Sequence, residues 1–399
     1  MLFHGGVGGS NPGDWFLRND FTPTPPIPPE PPIPPGPPVD PIIGPDLATF
    51  GVVQPLARQL GLSTLGTLHE RVGDTYEPDC STPAAAETPA VDLPTKKPTA
   101  LPTRKAGPAP CPLFSPSAWA RFFGGTTDNR YQAFADPRTD GTFWGCQGGV
   151  DLLRGPLIPG GYDRAGLYGA YGVTNNNVDG RVTNPAVTAY ILTHTGSVNL
   201  DAWSGGAYWT HVGPSGWYLD AVLQGTVYSG HAATPSSSLT TDGTGFIASL
   251  EAGYPIPLWF GPRLVLEPQG QILWQHVGFN HDFDGFQNVN LGSTNGPTGR
   301  LGLLAQSTIV TDSGQVWQPY VRGNVWESWG ARATTIFGAS PIQVPLREQA
   351  TWLEFAGGGT VKVNANWSAY AQAGYQFAVA PGNIQRSGFT GDIGLRYTW

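Results

Sequence analysis

The sequence predicts an all-β chain: an antiparallel transmembrane β-barrel of about twelve strands with an N-terminal helix in its pore. Three observations carry that prediction. From Ala118 to Trp399, segments of about ten residues alternate apolar and polar side chains between Gly, Pro, Asn or Asp breaks, which is the period of a strand with one greasy face. The links between segments alternate short and long, as in barrels with tight turns at one end and long loops at the other. Aromatic residues gather where segments end, the place of interfacial girdles.

Composition narrows the class. Of 399 residues only 13% are charged and 12% aromatic, with 55 Gly and 40 Pro, which suits turn-rich β structure and not a helical globule. The net charge of −8 supplies no basic surface for phosphates, so nucleic acid is not an expected partner. No apolar run reaches the length of about eighteen residues that a membrane-crossing helix needs, which leaves a closed barrel as the spanning solution. Met1–Gly6 lacks the basic-then-apolar pattern of a secretory signal, so a barrel chain that starts here is expected to be a piece of a longer one.

Along the chain, residues 1–20 are Gly-rich and end in the strand-like Asp14-Trp15-Phe16-Leu17-Arg18-Asn19. They read as the tail of something longer. Residues 21–45 hold thirteen prolines between Pro23 and Pro45, a semi-rigid spacer with a reach of roughly 70 Å at ~3.1 Å per residue. Residues 46–73 place apolar side chains at Leu47, Phe50, Leu56, Leu60, Leu65 and Leu68 near helical spacing. Asp46 is the expected N-cap and Gly73 the stop; Pro55, Gly61 and Gly66 predict a kink or two short helices. Residues 74–117 return to Pro, Ala, Thr and Lys without periodicity and read as a disordered insert. Cys80 and Cys111 form one possible bridge, and Cys146 is left over.

Residues 118–399 form the barrel, with strands near 118–128, 143–155, 162–174, 196–212, 216–230, 244–254, 263–275, 299–310, 316–329, 350–363, 367–379 and 389–399. The final strand sets Ile393, Leu395, Tyr397 and Trp399 on one face against Asp392, Arg396 and Thr398. The strand near 264–275 sets Ile272 and Trp274 against Glu267, Gln269, Gln271 and Gln275. Short links include Gly213-Pro214-Ser215 and Asn364-Ala365-Asn366, and long ones include 175–195, 276–298 and 330–349. Girdle positions are Trp217, Trp259, Trp274, Trp317, Trp352, Trp367 and Trp399. A soluble β-sandwich also alternates, so a secreted adhesin and a general diffusion porin are the competing readings. A porin would lack the pore helix and the Pro-rich tether, and a sandwich would dissolve without detergent.

Arg121, Asp151, Asp220, Glu251, Glu267, Arg322, Glu354, Lys362 and Arg396 fall on the polar face, where water reaches them. On the lipid side a Lys or Arg costs about 2–4 kcal/mol at mid-membrane. Because both signs occur, these pore-lining charges are expected either to grip the helix or simply to be solvated. The stretch His276 to Gly285 carries His281, Asp282 and Asp284 but no terminal Glu ligand, so it predicts a solvated loop and no metal site. Nucleophile-elbow, phosphate-loop and zinc signatures are missing. The sequence therefore predicts no catalytic residues and no cofactor.

The chain from about Asp14 onward resembles autotransporter translocator domains. The likeness rests on Asp14-Trp15-Phe16-Leu17-Arg18, Leu68-His69-Glu70-Arg71-Val72-Gly73-Asp74, and Ser117-Ala118-Trp119-Ala120-Arg121-Phe122-Phe123-Gly124. It continues through Gly216-Trp217-Tyr218-Leu219-Asp220, Leu250-Glu251-Ala252-Gly253-Tyr254-Pro255, Leu266-Glu267-Pro268-Gln269-Gly270-Gln271 and the terminal Leu395-Arg396-Tyr397-Thr398-Trp399. The resemblance implies a bacterial outer-membrane barrel of type V secretion that exports and anchors a passenger at the cell surface. It also implies outer-membrane lipid, periplasmic chaperones and the barrel assembly machinery as partners, the last recognising the terminal strand at Ile393, Leu395, Tyr397 and Trp399. The passenger that would be exported is not in this sequence.

Overall fold

Alternating strands that face opposite solvents can satisfy every backbone group only by closing on themselves, and these do. The computed structural model describes residues 41–73, 116–258, 264–338, 342–364, 366–380 and 384–399, together with the backbone of 2–4 and 15–17. The barrel strands are β1 Ser117–Arg130, β2 Arg138–Gly155, β3 Tyr162–Thr183, β4 Tyr190–Val212, β5 Tyr218–Ala233 and β6 Gly243–Gly253. They continue as β7 Leu264–Phe279, β8 Ser293–Ser307, β9 Val316–Ser328, β10 Ala350–Lys362, β11 Trp367–Ala378 and β12 Gln385–Thr398. Each pairs antiparallel with the next, and β12 closes on β1 with Gly394 opposite Arg121.

The barrel is inside-out relative to a water-soluble protein. Gln224, Gln275, Arg300 and Arg322 are buried on its inner face, while Trp203, Leu223, Leu301 and Phe355 are exposed outside. Polar side chains packed within a wall of exposed apolar ones are stable only where the outside is hydrocarbon. No described helix is long and apolar enough to cross a membrane; the strands do it.

The wall has unequal height. β3 and β4 run for 22 and 23 residues, against 12 to 14 for β9 to β12. Their pairing is continuous from Tyr162 opposite Val212 to Thr183 opposite Tyr190, with one register shift between Val178 and Asp179. The expected long loop at 175–195 is therefore mostly strand, and the connection is only 184–189. The Asn175-Asn176-Asn177 run, poor in β propensity, is held by pairing on both sides. The 276–298 link likewise shrinks to 280–292. Part of it, His281–Phe283 and Asn288–Asn290, joins Arg332–Phe337 and Ile342–Arg347 from the β9–β10 loop in a four-stranded sheet at the loop end.

Helices α1 Pro45–Gly51, α2 Val53–Leu65 and α3 Leu68–Val72 thread the lumen. The N-cap of α1 is Gly44, with Pro45 in the first turn, where its missing N–H is harmless. Asp46 is not the cap; its carboxylate instead accepts hydrogen bonds from Thr234 and Ser237 of the β5–β6 loop. Pro55 breaks nothing, because it sits in the first turn of α2, whose N–H groups lack intrahelical partners anyway. The breaks fall at Val52 and at Gly66, which has φ +64°. Gly61 continues α2, and its missing side chain lets the helix touch the wall: a Cβ there would stand 2.6 Å from Gln275 Nε2 and 2.7 Å from Tyr228 Oη.

Candidate functional site: the helix clamp in the lumen

The threaded segment enters at the loop end. There the Ile43 N–H donates to Thr183 Oγ1 at 2.8 Å and the Thr183 N–H to the Ile43 carbonyl at 3.0 Å. Around α1 the packing is apolar. Phe50, Val52 and Val53 are buried with Val198, Leu239, Val289, Leu291, Val344 and Leu346, and Phe50 stacks on Phe337 at 6.3 Å. This end lies above the inside-out zone, so a conventional hydrophobic core forms.

Deeper in the lumen the contacts become ionic. Arg58 of α2 pairs with Glu348 at 2.9 Å, and the Gln275 amide donates to the Arg58 carbonyl at 3.1 Å. Gln224 donates to Thr64 Oγ1 at 3.0 Å. Arg121 of β1 donates to the last carbonyls of α2, Ser63 at 2.9 Å and Thr64 at 3.3 Å, a cation at the negative end of the helix. Its guanidinium lies so close to Gly66 that a Cβ would stand 2.6 Å from Nη2. The same side chain pairs with Asp392 at 2.9 Å.

Helix α3 is held on every side. Thr67 and Glu70 form a reciprocal capping box, and Glu70 also pairs with Arg322 at 2.7 Å. The Leu68 N–H donates to Glu251 Oε2 at 3.1 Å. His69 Nε2 lies 3.0 Å from Glu267 Oε1, and Arg71 pairs with Asp220. Tyr370 Oη donates to the Glu70 carbonyl at 2.7 Å. Each partner is itself anchored: Arg322 to Glu354 at 3.0 Å, Glu251 to Arg300 at 2.9 Å, and Asp220 to Thr210 at 2.6 Å. Buried charges need an opposite partner, since an orphan among them costs about 3–5 kcal/mol.

Of the nine sequence-predicted wall charges, five touch the helices directly: Arg121, Asp220, Glu251, Glu267 and Arg322. Glu354 acts one step back, through Arg322. Asp151 and Arg396 pair with each other at 2.6 Å, with Ser117 and Tyr208 completing the group. Lys362 is half-buried at the turn end of β10. Phe50, Leu56, Leu60, Leu65 and Leu68 are buried, and Leu47 is half-buried. Ile393, Leu395 and Trp399 face outward and are exposed, with Tyr397 stacked on Trp399 at 5.4 Å.

One girdle assignment is corrected. Trp352 is buried in the lumen, stacked on Trp326 at 5.6 Å with planes 2° apart, whereas Trp217, Trp274, Trp317, Trp367 and Trp399 are exposed. It shares the parity of Glu354, two residues on, and that signal places it inward. Trp259 and the pair Cys80 and Cys111 lie outside the described residues; Cys146 is a free thiol. The sequence-based set omits Arg300 and Asp392, which share the polar parity of their strands, and Arg58, His69, Glu70 and Arg71 of the helices. Among the described residues, no group of three or more His, Cys, Asp or Glu is placed to hold a metal ion.

The helices leave part of the lumen unfilled. Towards β9–β12 and β1 a cavity of about 90 Å³ remains beside α2, lined in part by Arg121, Trp352, Gln376, Arg386 and Asp392. It has room for several waters.

Comparison with known proteins agrees with this geometry. The autotransporter β-domain model matches residues 118–374, more than half the chain. The adhesin BmaC autotransporter of Brucella suis biovar 1 is 27% identical over 313 residues, covering 76% of this chain and 8% of that protein. The pertactin autotransporter of Bordetella bronchiseptica is 28% identical over 218 residues, 52% of this chain and 22% of that protein. The chain thus spans less than a quarter of either relative. In fold it resembles the transport unit of the autotransporter AIDA-I from Escherichia coli, with TM-score 0.59 and 18% identity over 75% of this chain and 93% of that one. It also resembles the β domain of the Bordetella autotransporter BrkA, with TM-score 0.52 and 22% identity over 71% of this chain and all of that one. This chain belongs to the autotransporter β-domain family, as an outer-membrane translocator barrel of type V secretion.

Proposed function

We propose that this barrel anchors its passenger by gripping α1–α3 with the charged lumen wall. The loop end faces the cell exterior and residues 21–45 tether the passenger outside. The observation that carries this is the sevenfold attachment of residues 58–71 to five barrel strands and the β9–β10 loop, through Glu348, Gln275, Arg121, Glu251, Glu267, Asp220 and Arg322. A general diffusion porin would leave that space to solute. The division into passenger remnant 1–20, spacer 21–45, pore helix 46–73, insert 74–117 and barrel 118–399 belongs to the same reading.

The work is export and display, with no bond-making chemistry in the barrel. Outer-membrane lipid meets the outward apolar belt. Ile393, Leu395, Tyr397 and Trp399, at the open end of the last strand, are offered to the barrel assembly machinery, and periplasmic chaperones escort the unfolded chain. The test is single-channel conductance of the full chain carrying Glu267→Gln and Arg322→Gln together. The reading predicts larger or flickering conductance and faster proteolysis within 41–73; unchanged conductance and an unchanged protected helix would reject the grip.

A further inference from the structure

Beside α3, towards the turn end of the barrel, the lumen holds a second and smaller cavity. Its volume is about 10 Å³, and Leu68, Arg71 and Val72 of α3 close it against Asp151 of β2, Arg164 of β3 and Tyr208 of β4. Such a space admits one water or one monoatomic ion and nothing larger.

The polar groups around it do not balance. Arg71 is 1% exposed and Arg164 5%. Arg71 spends Nη2 on Asp220, while its Nε and Nη1 are buried without a hydrogen-bond partner, as is Nε of Arg164. Among the described residues no carboxylate forms an ion pair with Arg164. The nearby acceptors are taken. Asp151 receives Arg396 at 2.6 Å, Tyr208 Oη at 2.6 Å and Ser117, and Asp220 receives Arg71 and, at 2.6 Å, Thr210 Oγ1. Glu251 is committed to Arg300 at 2.9 Å. Three guanidinium groups, Arg71, Arg164 and Arg396, thus face two carboxylates, which leaves one positive charge in excess. Arg154 also approaches Asp151, at 4.0 Å, and does not relieve that excess. A neutral water leaves the charge in place and must donate two protons where most lone pairs are already used. An anion accepts the orphan N–H groups and cancels the charge.

We propose that this cavity is a halide site, in which one chloride ion bridges Arg71 of α3 to Arg164 of β3. The inference rests on the grip proposed above and adds an ion to it. Between Leu68 and Val72 little water screens the two guanidinium groups, so without an anion they repel one another across the cavity. The ion turns that repulsion into a bridge, and chloride therefore favours the threaded state. Cavity size sets the selectivity: chloride and bromide fit, whereas methanesulfonate, phosphate and carboxylates are too large.

The test uses the full 399-residue chain folded in detergent micelles, in mixtures of sodium chloride and sodium methanesulfonate at constant ionic strength. In urea titrations the folding constant should rise about tenfold for each tenfold rise in chloride above the dissociation constant of the site. Arg164→Gln should flatten that response and keep the heat-modifiable gel shift of the barrel. Crystals soaked in bromide should show an anomalous peak between Arg71 and Arg164. A water only, with no bromide peak there and one folding constant across all mixtures, would overturn the proposal, as would a chloride response that survives Arg164→Gln. Protease protection of residues 41–73 separates the two readings. If protection is kept in every mixture while no bromide binds, the halide site fails and the grip stands. If protection is lost in every mixture, the grip fails, and the site that α3 completes fails with it.

Discussion

The two ends of the threaded segment are held by opposite physics. At the loop end α1 sits in an apolar core, Phe50 on Phe337 with Val198, Val289 and Leu346 around it. Near the turn end α3 is fixed by buried ion pairs, Arg71 to Asp220 and Glu70 to Arg322. The difference follows from what surrounds the wall. Within the bilayer the apolar side chains must face lipid, which leaves polar ones for the lumen; above it the wall stands in water and turns its apolar side chains inward. An apolar plug tolerates local slippage, whereas paired charges fix one register, so the ionic end is where the position of the helix is specified.

Breaking the ionic end should have the largest effect. Asp220→Leu strands the Arg71 guanidinium, and the folded state in micelles should lose about 3–5 kcal/mol in urea titrations. Arg71→Leu combined with Asp220→Leu should recover most of it, because no orphan charge remains. If the double variant is as weak as the single one, the pair is not what holds α3. At the apolar end Phe50→Ala should cost about 3 kcal/mol, the low end of the range for such truncations, since the surrounding loops can close on the void. No removal of a charge should rescue it.

Smaller changes sharpen the same contrast between the ends. Gly61→Ala, at the contact of α2 with Gln275 and Tyr228, should cost about 1–3 kcal/mol by overpacking; a stability gain would mean that the helix does not touch this wall. Thr67→Ala removes half of the capping box of α3 and should cost about 1 kcal/mol, seen as faster proteolysis after residue 66 with barrel folding unchanged.

Much of this was legible in the sequence because a barrel strand writes its environment in a period of two. The inward set Glu267, Gln269, Gln271 and Gln275 and the outward Ile272 and Trp274 follow from parity alone. Trp352 shows where a positional rule misleads: near a strand end it resembles a girdle residue, yet it shares the inward parity of Glu354. The height of β3 and β4 was hidden because Asn175–Asn177 and Asp179-Gly180 carry turn chemistry that pairing on both sides overrides. The pairs themselves were out of reach. Arg58 and Glu348 lie 290 positions apart, and no local pattern states the register that brings them together.

The central claim is that α2 lies in the lumen against the inner faces of β3 to β7. Disulfide formation between Thr64→Cys and Gln224→Cys, whose native side chains are 3.0 Å apart, tests it most directly. In intact outer membranes, with Cys80, Cys111 and Cys146 changed to Ser, mild oxidation should join the two and keep the helix in the barrel after urea. The account is contradicted if that pair stays reduced while Thr64→Cys links as readily to the outward-facing Leu223→Cys.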